Sequence, residues 1–382
     1  MELFKQIINQ VSNPTILFTF TLLIFFFIFP PTDWFLKWNR KLKLYSLWSK
    51  NSIIIIMVLM SAFFMVGLTD VNFRAIVLKP DNVPITGLIF LVVFFTWLSM
   101  HLAYKNDALL EAGEKVEEYN EAPDNKVLVW PDLVYIEFIA LILMSAFLMI
   151  WSVGLQAPLE EPANPAESPN PAKAPWYFLG LQEMLVYFDP WMAGVVIPSL
   201  IIVGLIAIPY IDRSAGGSGY YSFKDRKLSI SLFMFGWLVL WIMLIIIGTF
   251  LRGPNWNFFG PFEYWDVHKL EALTNINLSE LIYIKWLSLG LPKNILIREI
   301  WGILTIIAYF MVLPPLLART FLKKLYGRLG SFSYTVFVVL LLIALSLPIK
   351  MYLRWFFNLK YIIASPEYFF NFSGFQFSQL FF

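Results

Sequence analysis

The chain contains no cysteine and only two histidines, His101 and His268. Disulfides, cysteine-ligated iron–sulfur clusters, zinc thiolate sites and haem attached through Cys-x-x-Cys-His are therefore excluded within it. Charge is also scarce: Asp, Glu, Lys and Arg are 14% of the 382 residues, against about 25% in an ordinary soluble domain. The 28 basic and 26 acidic residues leave a net charge of +2, so no nucleic acid is expected as a partner. A soluble globular enzyme and a disordered chain are excluded on the same grounds. What the sequence has instead is apolar bulk: 59% hydrophobic residues, 38 Phe and 15 Trp, with a mean hydropathy of +0.69. The expected class is an all-α transmembrane protein in contact with membrane lipid.

A bilayer core takes about 20 mainly apolar residues per helix. Eight stretches qualify: Pro14–Phe29, Ser52–Leu68, Pro84–Ala103, Asp132–Leu155, Trp191–Ile211, Leu228–Leu251, Ile300–Ala318 and Tyr334–Tyr352. Trp34, Trp130, Trp191, Tyr210, Trp301 and Trp355 lie near their ends, as interfacial aromatics do. Pro198, Pro209, Pro314, Pro315 and Pro348 are expected to kink or end helices, which neighbouring helices tolerate in a membrane. The first stretch ends in Pro30-Pro31 rather than at a small-residue cleavage site, so it reads as a retained helix.

Cationic loops give the direction. Lys37, Arg40, Lys41, Lys43 and Lys50 follow the first stretch; Arg213, Lys224, Arg226 and Lys227 follow the fifth; Arg319, Lys323, Lys324 and Arg328 follow the seventh. The alternate loops are poorer in cations, so the first set reads as cytoplasmic and both termini as lying on the positive side of the membrane. On that side Gln156–Pro190 carries Pro158, Pro162, Pro165, Pro169, Pro171 and Pro175, which fix an extended path. Residues Phe178–Val186 then read as a short apolar helix. Leu278–Leu289 reads as a surface-lying helix, Ser214–Gly219 as a flexible connector, and the Phe-rich tail Tyr361–Phe382 as a docking segment.

The informative stretch runs from Trp130 to Leu251. It opens a helix with Pro131-Asp132-Leu133, continues through Pro162-Ala163-Asn164-Pro165 and Ala174-Pro175-Trp176-Tyr177-Phe178, and closes with a helix pair whose first member ends at Ile208-Pro209-Tyr210. This order resembles the C-terminal half of cytochrome b, the part made as a separate subunit IV in cytochrome bf-type complexes. On that resemblance the chain divides into a three-helix extension (1–126), a cytochrome b C-terminal-like domain with the Pro-rich loop (127–252), and a surface segment with two further helices and the aromatic tail (253–382).

The resemblance implies a quinol-oxidising site on the positive side, where the family carries Pro-Glu-Trp-Tyr. The orientation read from Lys and Arg puts Trp176 and Tyr177 on that side independently. Pro175, Trp176, Tyr177, Phe178 and Gln182 are the implied quinone-binding residues, with Trp176 and Tyr177 at the reacting end. The chain departs from the pattern at one position: Pro175 stands where the family has Glu, and a proline has no proton to exchange. Glu183, within Leu181-Gln182-Glu183-Met184-Leu185, is the candidate replacement as proton acceptor. An acid inside an apolar run costs desolvation unless it is used or paired, and burial favours the protonated form. A salt bridge to Lys173 or to a partner subunit is the other reading of Glu183, and interfacial anchoring is the other reading of Trp176 and Tyr177.

On the opposite side, Asp132 occupies the position of an acid that the family places at an inner quinone site. An N-cap beside Pro131 explains Asp132 equally well. Glu137, deeper in the same helix, would share that proton path. His101 and His268 fall on opposite sides in the derived topology, so they cannot clamp one haem. No metal site and no haem pair is expected in this chain; quinone is the expected bound substrate. The resemblance then implies partners: a haem b-bearing subunit like the N-terminal half of cytochrome b, with Rieske-type or c-type cytochrome subunits, in a dimeric complex of a bacterial energy-coupling membrane. The expected function is a haem-free subunit of a cytochrome bc-type quinol oxidoreductase, in respiratory electron transfer coupled to proton translocation. The alternative is a structural scaffold whose quinol site has degenerated at Pro175. A secondary transporter ranks last, because neither an internal repeat nor a set of midplane charges is visible.

Overall fold

The computed structural model describes residues 1–116, 128–157, 162, 164–212, 221–271 and 274–364. Among the described residues, seven helices are long and apolar enough to cross a membrane, or up to eight if a bent pair counts as one span. The bent pair is α1 (Glu2–Val11) and α2 (Pro14–Ile28), which meet at 73°. The break has a local cause: the Asn13 side chain accepts from the Thr15 N–H at 3.1 Å, and Pro14 starts a new helix. The remaining spans are α3 (Lys50–Gly67), α4 (Val83–Glu111), α5 (Val129–Gly154), α7 (Met192–Ile211), α8 (Phe223–Leu251), α9 (Ile300–Arg319) and α10 (Ser331–Phe357), with a short helix α6 (Leu179–Met184) between α5 and α7. Each of the eight expected stretches overlaps one of these helices, and the all-α transmembrane class holds.

Two helices outrun their expected ends for a polar reason. Helix α4 continues beyond Ala103 because Asn106 donates to the Tyr221 carbonyl at 3.1 Å and Asp107 accepts from the Ser222 hydroxyl at 2.5 Å. Helix α10 continues beyond Tyr352 because Lys350 and Arg354 find carbonyl partners inside the protein. Pro209 and Pro348 stay inside α7 and α10 rather than ending them. A widened turn at Ala308–Val312 precedes Pro314 and Pro315 in α9, and the Tyr334 hydroxyl donates to the Pro314 carbonyl at 2.9 Å.

The chain forms two compact units interleaved in sequence. The first comprises Met1–Tyr177, Gly216–Val239 and Thr249–Lys269; the second comprises Phe178–Ala215, Leu240–Gly248 and Leu270–Phe382. The first unit is an aromatic-rich bundle. Phe25 of α2 lies 5.7 Å from Phe235 of α8, and Phe29 lies 5.6 Å from Trp48. Its polar contacts sort into two sets. One set joins the segments after α2, α4 and α7: Lys227 pairs with Asp33, Lys224 with Glu111 at 3.3 Å, and Arg40 with Glu111 at 3.9 Å. The other joins the N-terminus, the α3–α4 connection and the segment after α8: Lys5 pairs with Asp70 at 2.7 Å, and Asn9 and Asn72 hold the Phe262 backbone at 3.0 and 3.2 Å. These are the same loops that alternate in the topology read from sequence.

In the second unit a short parallel pair, β1 (Ile276–Asn277) with β2 (Leu359–Tyr361), follows the end of α10. Residues Leu278–Trp286 are helical, as expected, and begin with an Asn277–Glu280 capping box. The connector Ser214–Gly219 and most of the tail Tyr361–Phe382 lie outside the described residues.

Candidate functional site

The end of the Pro-rich loop is held by the segment after α8. The Asn170 side chain donates to Asn255 Oδ1 at 2.9 Å and accepts from the Asn255 N–H at 2.6 Å. Lys173 donates to the Thr249 carbonyl at 2.8 Å, with its ammonium 4.7 Å from the centre of the Trp265 ring. The Thr249 carbonyl lies in the last turn of a helix, where carbonyls lack intrahelical donors and a cation is favoured. The chain then passes Pro175 and makes a single tight turn over Trp176–Phe178. Trp176 and Tyr177 stand edge to face, their ring centres 5.7 Å apart. They remain 37% and 48% exposed, and Phe178 is 50% exposed, so three large rings offer open apolar surface.

Helix α6 follows directly and buries Leu179, Gly180, Glu183 and Met184. Leu179 and Glu183 therefore share one face, as their spacing indicates. Two glycines bring α6 close to α8. A Cβ at Gly248 would lie 3.3 Å from the Leu179 carbonyl oxygen, and one at Gly180 would lie 3.5 Å from Ile245 Cγ1. Glu183 has no exposed surface. Its Oε1 accepts from the Tyr187 hydroxyl at 3.1 Å. Tyr187 is itself fully buried and meets Trp355 edge on, with ring centres 6.0 Å apart. Trp355, near the end of α10, is half-buried and packs against this phenol. Gln182 is half-buried and Pro175 is exposed.

The acids of α5 are placed differently. No residue of α5 is buried, and Asp132 and Glu137 are both exposed. The N-cap reading of Asp132 is corrected: Trp130 is extended (φ −121°, ψ 129°), the helix proper begins after it, and Asp132 sits in the first turn. There a carboxylate favours the helix through its dipole rather than by capping. Nothing in the structure brings Asp132 or Glu137 to the Trp176–Tyr177 turn.

His101 is structural. Its Nδ1 lies 2.7 Å from the Trp48 carbonyl, and its ring stacks on Trp97 at 5.0 Å. His268 is exposed in a turn closed by Asp266. Among the described residues no three His, Cys, Asp or Glu side chains are grouped to hold a metal ion.

Sequence reasoning missed Tyr187, Lys350, Arg354 and Lys360. Tyr187 had one local signal, its i,i+4 spacing from Glu183. The three cations had none, because their acceptors come from distant segments. Lys360 lies outside the spans, and its ammonium is held below the ordinary lysine value by burial first and then by Arg354, against the pull of Asp189.

The loop, the tight turn, α6, α7 and α8 fall in one stretch that has known relatives. Residues 162–262 match the family described as cytochrome b(C-terminal)/b6/petD. The match contains Trp176, Tyr177 and Glu183, so the resemblance read from the motifs stands. A protein from Geobacillus thermodenitrificans, named menaquinol:cytochrome c reductase cytochrome c subunit, is 28% identical over 103 residues. That alignment covers 25% of this chain and 41% of the relative's length. No solved structure matches the chain.

Proposed function

We propose that the chain is a haem-free membrane subunit of a cytochrome bc-type quinol oxidoreductase, and that its cytochrome b C-terminal segment builds part of the positive-side quinol-oxidising site. The observation that carries this reading is Glu183: within the matched stretch it is a fully buried acid, hydrogen-bonded to a buried phenol, on the short helix that follows Trp176-Tyr177. Oxidation of a quinol to a quinone releases two protons and two electrons. The exposed rings of Trp176, Tyr177 and Phe178 suit a flat aromatic ligand, and Pro175 and Gln182 are the neighbours in sequence that would complete its binding residues. The Glu183 carboxylate accepts one proton, in place of the acid that Pro175 cannot supply. The Tyr187 hydroxyl donates to one carboxylate oxygen and so orients the acid. The electrons leave to metal centres of partner subunits: a haem b-bearing cytochrome b N-terminal half, and a Rieske-type or c-type cytochrome.

Asp132 and Glu137 would serve a second, negative-side quinone site, completed by a neighbouring subunit, since this chain leaves both uncovered. On this reading the complex would be a dimer in a bacterial energy-coupling membrane, with both termini of this chain on the positive side. A scaffold with a degenerate quinol site is the competing reading, and Pro175 is the residue that favours it. Gentle purification of the intact complex, with haem spectra and a subunit inventory, tests the assignment: a complex lacking a haem b subunit refutes it. A quinone-site inhibitor that displaces quinone near Trp176 supports the catalytic reading over the scaffold.

A further inference from the structure

The last helix carries two buried cations one turn apart, Lys350 and Arg354. A buried cation is tolerated only where acceptors meet its donors. Lys350 Nζ donates to the Lys360 carbonyl at 2.7 Å and to the Leu359 carbonyl at 3.4 Å. Arg354 donates to the carbonyls of Asn358 and Thr274 at 3.0 and 3.3 Å and to Asn275 Oδ1 at 2.7 Å. These acceptors belong to β2 and to the segment leading into β1. Asn358 turns the chain at φ +54°, and the two cations hold β2 back along α10.

This arrangement aims a third cation at the site. Lys360 Nζ donates to the Leu185 carbonyl at 2.9 Å, just beyond the end of α6. Trp355 packs its ring against Tyr187, and the Lys350 ammonium lies 5.9 Å from the Phe188 ring centre. Three separate contacts from the C-terminal segment therefore land on residues 185–188. That turn carries Tyr187, and Tyr187 holds Glu183.

We propose that the C-terminal span, which lies outside the cytochrome b-like stretch, is a positioning element for the proton-accepting acid: Lys360 and Trp355, seated on Leu185 and Tyr187, hold the Tyr187–Glu183 pair in place. The proposal rests on the quinol-site reading of Glu183 and gives the additional C-terminal helix a task in it. Lys360 and Trp355 touch no substrate; they act through the turn at 185–188.

The test uses the assembled complex carrying Lys360→Met or Trp355→Leu. The expected result is a fall in kcat for quinol oxidation of about tenfold, as for a small misplacement of a reacting group, with KM changed much less. Lys360→Arg, which keeps a donor, restores turnover to within about twofold of the parent. Subunit content and haem spectra stay unchanged. The Glu183 carboxyl band, identified in the infrared by its loss in Glu183→Gln, shifts in Lys360→Met. Parental turnover and an unmoved band in both variants overturn the proposal, while an inactive Glu183→Gln complex keeps the quinol reading. If Glu183→Gln is silent the quinol reading fails instead, and the band alone then decides whether Lys360 and Trp355 place the carboxyl.

Discussion

Helices α5 and α6 each carry an acid in an apolar sequence, and the protein treats the two in opposite ways. Glu183 of α6 is enclosed and hydrogen-bonded to Tyr187; Glu137 of α5 is exposed on a helix with no buried residue. The desolvation a carboxylate suffers is set by what surrounds it in the fold, not by the apolar run it sits in. Around Glu183 the chain provides its own environment: two glycines for close approach, a phenol, an indole and a lysine on the adjoining turn. Around Glu137 it provides none, and any partner for that acid must come from outside the described residues.

The sharpest way to break the comparison is Glu183→Gln. Quinol–cytochrome c turnover of the complex should fall by about 100-fold with assembly unchanged, since positioned proton transfer contributes at least that much. Parental turnover would remove Glu183 from the mechanism. Next, Gly248→Ala places a Cβ 3.3 Å from the Leu179 carbonyl oxygen. Overpacking of this kind costs about 1–3 kcal/mol, and a lower melting temperature in detergent is the expected result. An unchanged melting temperature would show that α6 is not held against α8 as closely as the coordinates place it. Tyr187→Phe removes one hydrogen bond to a buried carboxyl, a loss of about 1 kcal/mol. Its turnover should lie between the parent and Glu183→Gln; equality with the parent would separate the phenol from the acid's function.

Asp70 supplies a paired acid for calibration. Burial raises its pKa, but the Lys5 ammonium and the N–H groups of Phe73 and Asn72 outweigh burial, and the carboxyl sits below its ordinary value. The stability it contributes is therefore complete above the ordinary Asp range, near pH 4, and is lost as pH falls through the depressed folded value. Thermal melts of parent and Asp70→Asn should diverge at neutral pH and converge in acid; parallel curves would refute the pairing. The smallest effect is expected for Glu137→Gln in the isolated chain. An exposed substitution away from any contact changes stability by less than about 0.5 kcal/mol, so its melt should match the parent. A large change would mean that α5 is covered after all.

Much of the fold was legible from residues alone. Runs of apolar residues located the seven spans and the bent α1–α2 pair, because a bilayer sets a minimum length that no soluble helix needs to meet. The errors came at polar residues. Asn106 and Asp107 lie past the expected end of α4, and Arg354 past that of α10, because hydropathy assumes that a polar side chain seeks water. The alternating arrangement of loops was also legible, through the uneven placement of lysine and arginine. Of the candidate site, the Trp176–Tyr177 turn was named from its motif and Glu183 from its place in an apolar run; the structure adds that Glu183 is buried. Tyr187 was overlooked, and Lys360 and Trp355 were out of reach.

The sequence by itself therefore determined that the chain carries helices long and apolar enough to cross a membrane, roughly where each falls, and that its middle stretch resembles the C-terminal half of cytochrome b. Those properties are written in local composition and short-range order. Only the tertiary structure decided which acid is enclosed and which is bare, and which distant side chains surround Glu183. Burial and hydrogen-bond partners depend on contacts between residues 175 positions apart, such as Lys360 and Leu185, and no local pattern encodes such a contact.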